Sequence, residues 1–171
     1  ILESIVESFS VQGFKRLFLS VNYKAEMIIN HFGTGDRWGL KIGYLHENTE
    51  LGTAGSLSLL PEKPSETIIV MNGDLVTHPN FDNLLQFHDS QKAAATMVVR
   101  EYDFQLPFGV VQLDGSIIKG IEEKPSQRFF VNAGIYALSP HVLDFITSRS
   151  FFDMPTLFEK LIGKGEKTVA Y

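Results

Sequence analysis

Cysteine is absent from the 171-residue sequence. Without thiols, the chain offers no disulfide bond, no cysteine-based zinc site and no thiolate nucleophile. This absence fits a reducing compartment, and we expect a cytoplasmic protein. No apolar run reaches the roughly 18 to 20 residues that a membrane-spanning helix needs, so we expect no membrane partner.

Runs of lysine and arginine are also lacking, and the formal net charge is -5 at pH 7. Non-specific nucleic-acid binding needs a basic patch that displaces counterions from phosphate, so nucleic acid is not an expected partner. A small anionic ligand would have to be held by a metal ion, a lysine or backbone amides. The five histidines show no metal-ligand spacing, and no serine lies in the glycine-rich context of a hydrolase nucleophile.

Strand and helix patterns alternate over the first hundred residues and are followed by closely spaced strands. After an opening helix, periodicity predicts helices at 25–32, 53–60, 83–91, 140–148 and 154–162, and strands at 14–21, 40–46, 67–71, 94–100, 108–113, 116–123 and 130–138. The apolar run 67–71 is typical of a central strand, and Asp114-Gly115 predicts a hairpin turn. We predict an α/β fold, a three-layer Rossmann-like domain with a mixed, mainly parallel central sheet and an antiparallel hairpin addition.

Both ends of the chain lack the usual boundary signals. Apolar residues recur at helical spacing from Leu2 onward, but no Ser, Thr, Asp or Asn precedes them to cap the helix. Residues 167–171 are β-prone and lead into no turn. We expect residues 1–171 to be one domain truncated at both ends. A complete domain with plain termini is the alternative.

A carboxylate, Asp74, comes just after the predicted strand at 67–71, in Asn72-Gly73-Asp74. Ligands bind at the carboxyl ends of strands in open α/β sheets, and a carboxylate there can hold Mg²⁺, which neutralises phosphate oxygens. The alternative is an ordinary Gly-Asp turn after a strand.

Two glycines flank Thr53 in Leu51-Gly52-Thr53-Ala54-Gly55. Gly52 allows a flat group to approach the backbone, and Thr53 is expected to cap the following helix and leave its amides facing outward. The alternative is a purely structural cap with small residues that pack against the sheet.

Two further motifs belong to the strands after residue 100. In Glu123-Lys124-Pro125, the proline is expected to keep Lys124 extended, with its ammonium directed at a phosphate. Strand alternation sends Glu123 and Lys124 to opposite faces unless the strand ends there, and a solvated charge cluster is the alternative. Asn132 and Gly134 share a strand face that could bind a sugar hydroxyl, although the glycine could equally mark a bulge. Gly109, near the start of a strand, is ambiguous in the same way.

The order of these motifs resembles that of the sugar-phosphate nucleotidylyltransferases. They are Leu51-Gly52-Thr53-Ala54-Gly55, Asn72-Gly73-Asp74, Pro107-Phe108-Gly109-Val110-Val111, Glu123-Lys124-Pro125, Val131-Asn132-Ala133-Gly134-Ile135-Tyr136 and Phe152-Asp153-Met154-Pro155 with the helix after it. The similarity is closest to the mannose-1-phosphate guanylyltransferase-like and glucose-1-phosphate nucleotidylyltransferase-like branches, and it covers essentially the whole chain.

The resemblance implies a role for each matched residue. Leu51, Gly52 and Thr53 would contact the nucleotide, and Asp74 would bind Mg²⁺. The sugar 1-phosphate would be bound by Gly109, Glu123, Lys124 and Asn132, and Asp74 and Lys124 would be the catalytic pair. The implied partners are a nucleoside triphosphate and a hexose 1-phosphate, and the products are a nucleotide sugar and pyrophosphate. The sequence leaves open whether the protein forms a homo-oligomer.

The resemblance also implies that two parts of such an enzyme lie outside residues 1–171. These are a glycine-rich triphosphate loop before the first helix and a second metal-binding aspartate after Tyr171. The chain alone is therefore expected to be inactive. Two other readings stay open: a non-catalytic nucleotide-sugar-binding or regulatory relative, and a glycosyltransferase. The Asp-x-Asp motif usual in glycosyltransferases is missing from Asn72-Gly73-Asp74.

Overall fold

The computed structural model describes residues 1–171 and contains five α-helices and eight β-strands. The helices are α1 (Leu2–Val11), α2 (Ala25–Phe32), α3 (Gly52–Gly55), α4 (Phe81–Gln91) and α5 (Met154–Gly163). The strands are β1 (Arg16–Val21), β2 (Lys41–His46), β3 (Ile68–Met71), β4 (Ala95–Gln105), β5 (Val110–Asp114), β6 (Ile117–Glu122), β7 (Ser126–Leu138) and β8 (Thr168–Ala170). Short 3-10 helices occupy Asp36–Trp38, Ser56–Leu59 and Pro140–Phe145. None of the helices combines the length and apolar character that crossing a bilayer requires.

The chain divides into two compact units, which are described separately. The first unit comprises residues 1–97 and 134–171, and the second comprises residues 98–133. Strands β4 and β7 contribute residues to both units.

Strands of both orientations are present, as the sequence predicts. In one sheet β1 pairs in parallel with β2, from Arg16 opposite Lys41 to Val21 opposite His46. A four-stranded sheet has the order β3, β7, β4, β8, in which β3 is antiparallel to β7 and β4 is parallel to β8. The predicted α/β class with a mixed sheet is therefore confirmed.

The prediction that β3 is a central strand of its sheet is wrong. Its four residues are apolar, which is typical of a central strand, but β3 is the first strand of its sheet and pairs only with β7. Every residue of β3 is only partly buried. The composition of a strand does not reveal its place in the sheet. An apolar sequence indicates that the strand lies in an apolar environment, but it does not indicate how many strands pair with it.

Two clusters of buried side chains hold the first unit together. One cluster packs Val6 of α1 against Leu19 and Val21 of β1, with Phe32 and Trp38 nearby. The other packs α5 against the four-stranded sheet and includes Leu157, Leu161, Tyr136 and Leu138. In both clusters, helices and strands bury their apolar faces against each other. The alternation of helix and strand patterns along the sequence therefore produces layers of helices on sheets.

The second unit contains the predicted hairpin. Strands β5 and β6 pair antiparallel, from Val110 opposite Glu122 to Asp114 opposite Ile117. Gly115 in the connecting turn has φ +59°, the left-handed conformation that favours glycine. Arg128 adds ion pairs to Asp103 at 2.9 Å and Glu101 at 3.3 Å. The hairpin prediction is confirmed, and local turn chemistry explains why it could be made.

Candidate functional site

A cavity of about 1090 Å³ lies in the first unit along strands β1 and β3. All residues of both strands line it, together with residues that follow the carboxyl ends of β2 and β3, namely Gly52, Thr53, Asn72 and Gly73. In open α/β sheets ligands bind at the carboxyl ends of strands. Small-molecule clefts usually measure about 300–1,000 Å³, so this cavity can accommodate such a ligand. Two of the sequence motifs therefore border one space.

The loop that begins at Leu51 is held by a segment distant in sequence. The Phe152 N–H donates to the Leu51 carbonyl at 2.8 Å, and the Phe152 carbonyl accepts from the amides of Ala54 at 3.0 Å and Gly55 at 2.8 Å. Gly52 has φ +75°, and a Cβ there would lie 2.8 Å from the Phe152 carbonyl oxygen. Since a side chain would be strained in backbone and blocked in space, Gly52 is required structurally. Hydrogen bonds to Phe152 therefore hold this loop in place.

The structure gives Thr53 a different partner from the one predicted. The sequence predicts that Thr53 caps the helix beside it and leaves that helix's amides facing outward. Its Oγ1 instead accepts the Met154 N–H at 2.9 Å, at the start of α5. The amides of Ala54 and Gly55 are bound to the Phe152 carbonyl. The prediction of outward-facing amides is wrong, because a carbonyl of the same chain occupies the place that an anion would take.

Asp74 lies in the turn just after β3, where the sequence puts it, and is exposed. The structure contains no group of three or more acidic, histidine or cysteine side chains that could hold a metal ion. A lone carboxylate still suits Mg²⁺, which is commonly bound through one or two protein carboxylates together with substrate phosphates and water. Asp74 is therefore compatible with a metal ion that is held jointly with a phosphate ligand.

Asn72, two residues before Asp74, packs against Gly134 of β7. The Asn72 N–H donates to the Gly134 carbonyl at 2.9 Å. Gly134 has φ +73°, and a Cβ there would lie 2.8 Å from the Asn72 Nδ2. The space at Gly134, which the sequence motif suggested for a sugar hydroxyl, is filled by the Asn72 side chain. Gly134 therefore positions the turn that carries Asp74.

In the second unit, two of the predicted residues come together. Gly109 precedes β5 and Glu123 follows β6, and these strands pair so that the two residues are close. A Cβ added at Gly109 would lie 2.9 Å from the Glu123 Oε2. The carboxylate of Glu123 thus lies over the bare backbone of Gly109, and any larger residue at 109 would displace it.

Lys124 is not extended, so that prediction is wrong. Its φ is +48°, the left-handed region, because β6 ends at Glu122 and the chain turns before β7 starts at Ser126. The Lys124 carbonyl accepts from the Gln105 Nε2 at 3.3 Å, and the Pro125 carbonyl accepts the Leu106 N–H at 3.0 Å. Strand alternation has therefore ended at this turn, and the rule that separates Glu123 from Lys124 onto opposite faces no longer applies.

Asn132 lies in β7, in the second unit, and is exposed. Of the predicted site residues, Leu51, Gly52, Thr53 and Asp74 belong to the first unit, whereas Gly109, Glu123, Lys124 and Asn132 belong to the second. Within the first unit Leu51 is buried and does not line the cavity, so its side chain supports the loop from inside.

Glu47 is a cavity residue that sequence reasoning missed. Its Oε2 accepts the Leu51 N–H at 2.9 Å, and its Oε1 accepts the Ser20 hydroxyl. Glu47, Glu50 and Ser20 all line the cavity. Glu47 directly follows β2, just as Asp74 follows β3 closely, so the rule that singled out Asp74 could also have found it. The carboxylate fixes the start of the Leu51 loop and gives the cavity an acidic wall.

These features define an α/β protein with a mixed sheet and a cavity that runs along strands β1 and β3 to residues beyond their carboxyl ends. Comparison with known proteins then supplies the family. A family model described as nucleotidyl transferase matches residues 1–170. The chain belongs to the nucleotidyl transferase family, and the resemblance to sugar-phosphate nucleotidylyltransferases is confirmed.

A curated relative agrees with this assignment, and solved structures share the fold. The probable mannose-1-phosphate guanylyltransferase 2 of Oryza sativa subsp. japonica is 33% identical over 166 residues, which cover 91% of this chain and 44% of that protein. The crystal structure of HddC from Yersinia pseudotuberculosis complexed with GMP-PN has a TM-score of 0.69 and 22% identity, over 99% of this chain and 75% of that one. A putative glucose-1-phosphate thymidylyltransferase from Bacillus anthracis has a TM-score of 0.75 and 18% identity, over 99% and 72% of the two chains. The chain thus spans less than half the length of the Oryza relative.

Proposed function

We propose that the protein to which residues 1–171 belong transfers a nucleotidyl group from a nucleoside triphosphate to a sugar 1-phosphate, giving a nucleotide sugar and pyrophosphate. The observation that carries the proposal is the family match over residues 1–170, with Gly52, Thr53, Asn72 and Gly73 bordering one cavity. The Oryza relative is named as a mannose-1-phosphate guanylyltransferase and the HddC crystal contains GMP-PN. GTP and mannose 1-phosphate are therefore the first substrate pair to test.

In the first unit, the nucleotide would lie against Leu51, Gly52 and Thr53. The hydrogen bonds from Phe152 and Met154 hold this loop before any ligand binds, which lowers the ordering cost of binding. Gly52 and Thr53 border the cavity, so a base lying there can contact them. Asp74 would hold Mg²⁺ jointly with the nucleotide phosphates. When bound, Mg²⁺ neutralises phosphate charge, which the acidic chain cannot do by itself.

In the second unit, the sugar 1-phosphate would be bound by Gly109, Glu123, Lys124 and Asn132. The Glu123 carboxylate, which lies over the bare backbone of Gly109, can accept hydrogen bonds from sugar hydroxyls. Lys124 carries its ammonium on an exposed turn, where a point charge can attract a phosphate. Asn132 can both donate to and accept from hydroxyl groups.

The reaction would need no protein nucleophile. A phosphate oxygen of the sugar 1-phosphate attacks the α-phosphorus in line, the bond to the β-phosphate oxygen breaks, and pyrophosphate leaves. Such chemistry depends on positioning and on charge neutralisation. Asp74 and Lys124 are the two charged residues proposed for that role. We also propose that residues 1–171 alone are inactive, because the resemblance implies that such an enzyme needs a triphosphate loop and a second metal-binding aspartate in addition to these residues.

The test is Mg²⁺-dependent pyrophosphate release by the full gene product, assayed with common nucleoside triphosphates and hexose 1-phosphates. We expect Asp74→Asn to lower kcat by about 100-fold or more, in the range seen when one charge-stabilising group is removed. Lys124→Ala should raise the KM for the sugar phosphate and also lower kcat. Asp82→Asn, at an exposed carboxylate in the first turn of α4, is the matched control. Unchanged turnover in Asp74→Asn, or pyrophosphate release by residues 1–171 above that of their Asp74→Asn variant, would overturn the proposal.

A further inference from the structure

The turn that carries Asp74 belongs to a segment without regular structure. Residues 73–80 form no helix or strand between the end of β3 and the start of α4, and most of them are exposed. The nearest backbone hydrogen bonds on either side of Asp74 are that of the Asn72 N–H to Gly134 and one that the Pro79 carbonyl accepts. A segment with few contacts samples many positions unless its ends are fixed. The position of Asp74 therefore depends on two anchors.

The second of these anchors is the side chain of Gln12, at the end of α1. Its Nε2 donates to the Pro79 carbonyl at 2.9 Å, and its Oε1 accepts the Phe81 N–H at 2.8 Å. The Phe81 N–H belongs to the first turn of α4, where amides have no partner within the helix. A side-chain amide can donate and accept at once, so Gln12 satisfies both backbone groups and ties the end of the segment to α1.

Helix α1 also contacts both ends of the segment through apolar side chains. The buried ring of Phe81 stacks on that of Phe9, with the ring centroids 4.4 Å apart. At the start of α1, the Leu2 Cδ1 lies 3.7 Å from the position that a Cβ would occupy at Gly73. Gly73 immediately precedes Asp74. Helix α1 therefore braces the segment at its beginning and at its end.

We propose that Gln12 is a positioning residue for the metal ion of the reaction. By fixing Pro79 and Phe81 to α1, it holds the Asp74 turn where the carboxylate binds Mg²⁺ jointly with the nucleotide phosphates. The inference rests on the proposed function, which makes Asp74 a metal ligand. Gln12 does not line the cavity along β1 and β3, so its effect passes through the backbone of the segment.

Metal affinity is the quantity that this role should change. Residues that orient metal ligands without touching the metal typically change affinity or activity by about 10–100-fold when they are replaced. Gln12→Met keeps the length of the side chain and removes its donor and its acceptor. We expect this variant to bind the metal about 10-fold more weakly, at the low end of that range, because Asn72 still anchors the other side of the turn.

Mn²⁺ binding to the full gene product tests this expectation. Mn²⁺ replaces Mg²⁺ because electron paramagnetic resonance measures its bound fraction directly. The nucleoside triphosphate selected by the pyrophosphate assay is present and the sugar 1-phosphate is omitted, so that no turnover occurs. Ser8→Ala is the matched control, since the Ser8 Oγ accepts from the Gln12 Nε2 at 3.1 Å within α1 and has no bond to the segment. Its Kd for Mn²⁺ should equal that of the unmodified protein.

Nuclear magnetic resonance supplies a readout without metal. In the unmodified full product, the backbone order parameters of Asp74 and Val76 should be near about 0.85, as in a rigid backbone, and in Gln12→Met they should fall below about 0.6. Ser8→Ala should leave them unchanged. Order parameters that are the same in the Gln12→Met variant and the unmodified protein would overturn the proposal, whatever the metal affinity.

The outcomes separate this inference from the proposed function. Weaker Mn²⁺ binding in Asp74→Asn with unchanged binding in Gln12→Met overturns the role of Gln12 and leaves the metal role of Asp74 standing. Unchanged binding in Asp74→Asn overturns both. His88→Gln is a stability control, because it breaks buried hydrogen bonds to Thr96 and Ser139 away from the Asp74 turn. An equal loss of Mn²⁺ affinity in His88→Gln would mean general destabilisation and would also overturn the role of Gln12.

Discussion

Gly134 shows how one residue can connect the core to a candidate site. It lies in β7 with φ +73°, and its bare Cα allows the Asn72 side chain to pack at the turn before Asp74. A glycine in a strand often marks a place where another group approaches the backbone closely, and Asn72 is that group. The residue is therefore structural, and its link to ligand binding passes through the position of the Asp74 turn.

Gly134→Ala is expected to lower the free energy of unfolding by about 2 kcal/mol, since a non-glycine residue at positive φ costs about 1–3 kcal/mol and the new Cβ meets the Asn72 Nδ2. Urea denaturation measures the change. Asn72→Ala in the Gly134→Ala background should recover part of the loss, because it removes the clash and leaves the backbone strain. Gly163→Ala is the control, since Gly163 lies in α5 with no atom within 4 Å of its added Cβ. Equal stabilities for the Gly134→Ala and Gly163→Ala variants would refute this account of Gly134.

His88 joins three elements of the first unit and is only 1% exposed. Its Nδ1 lies 2.8 Å from the Thr96 Oγ1 in β4, and its Nε2 lies 3.0 Å from the Ser139 Oγ just after β7. The Ser139 hydroxyl donates to the Ala93 carbonyl, so it accepts from the His88 Nε2–H, and Nδ1 accepts from Thr96. Both ring nitrogens are thus satisfied in the neutral form. Burial lowers the pKa of His88, with a smaller opposing effect from Asp89.

The stability of the first unit should therefore depend on pH through His88. Its pKa is lower in the folded than in the unfolded chain, so the unfolded chain binds the proton first as pH falls. The contribution of neutral His88 is complete above about pH 6.5 and is lost as pH falls through the folded pKa, with a slope of at most about 1.4 kcal/mol per pH unit. Chemical denaturation from pH 7.5 to 5 measures it. His88→Gln should show a shallower slope than the unmodified protein, and identical slopes would refute the role of His88.

The whole molecule is uneven in its packing. All of its buried residues belong to the first unit, whereas residues 98–133 contain none. Large apolar side chains in this second unit are exposed, among them Phe108, Ile121 and Phe130. A hairpin without a buried core is marginally stable in water, so the second unit is expected to open independently of the first.

Limited proteolysis of residues 1–171 should reveal this difference. We expect early cleavage by chymotrypsin within residues 98–133, at Phe108 or Phe130, before any cleavage in α5 or β1. Tyr23 serves as an internal comparison. It is an aromatic residue that is 80% exposed, like the predicted cleavage sites, but it belongs to the first unit. Mass spectrometry of the first fragments identifies the sites. Initial cleavage in the core elements of the first unit would contradict independent opening of the second.

Features that depend on local chemistry could be predicted from the amino-acid sequence. Helices α2 and α5, the hairpin around Asp114-Gly115 and the position of Asp74 after β3 follow from periodicity, turn residues and element ends. The order of motifs also indicated the family that the comparison over residues 1–170 establishes. These features could be predicted because each depends on residues close together in the chain.

Contacts between residues that are distant in the chain could be read only from the folded structure. The bond from Met154 to Thr53 spans 101 positions, and no local pattern specifies it. The same holds for Asn72 filling the space at Gly134 and for Glu123 lying over Gly109. The left-handed turn at Lys124 and the edge position of β3 likewise depend on where neighbouring strands end and whether they are present. Hydrogen bonds and packing between remote segments set these features, because their energies depend on the completed fold and not on adjacent residues.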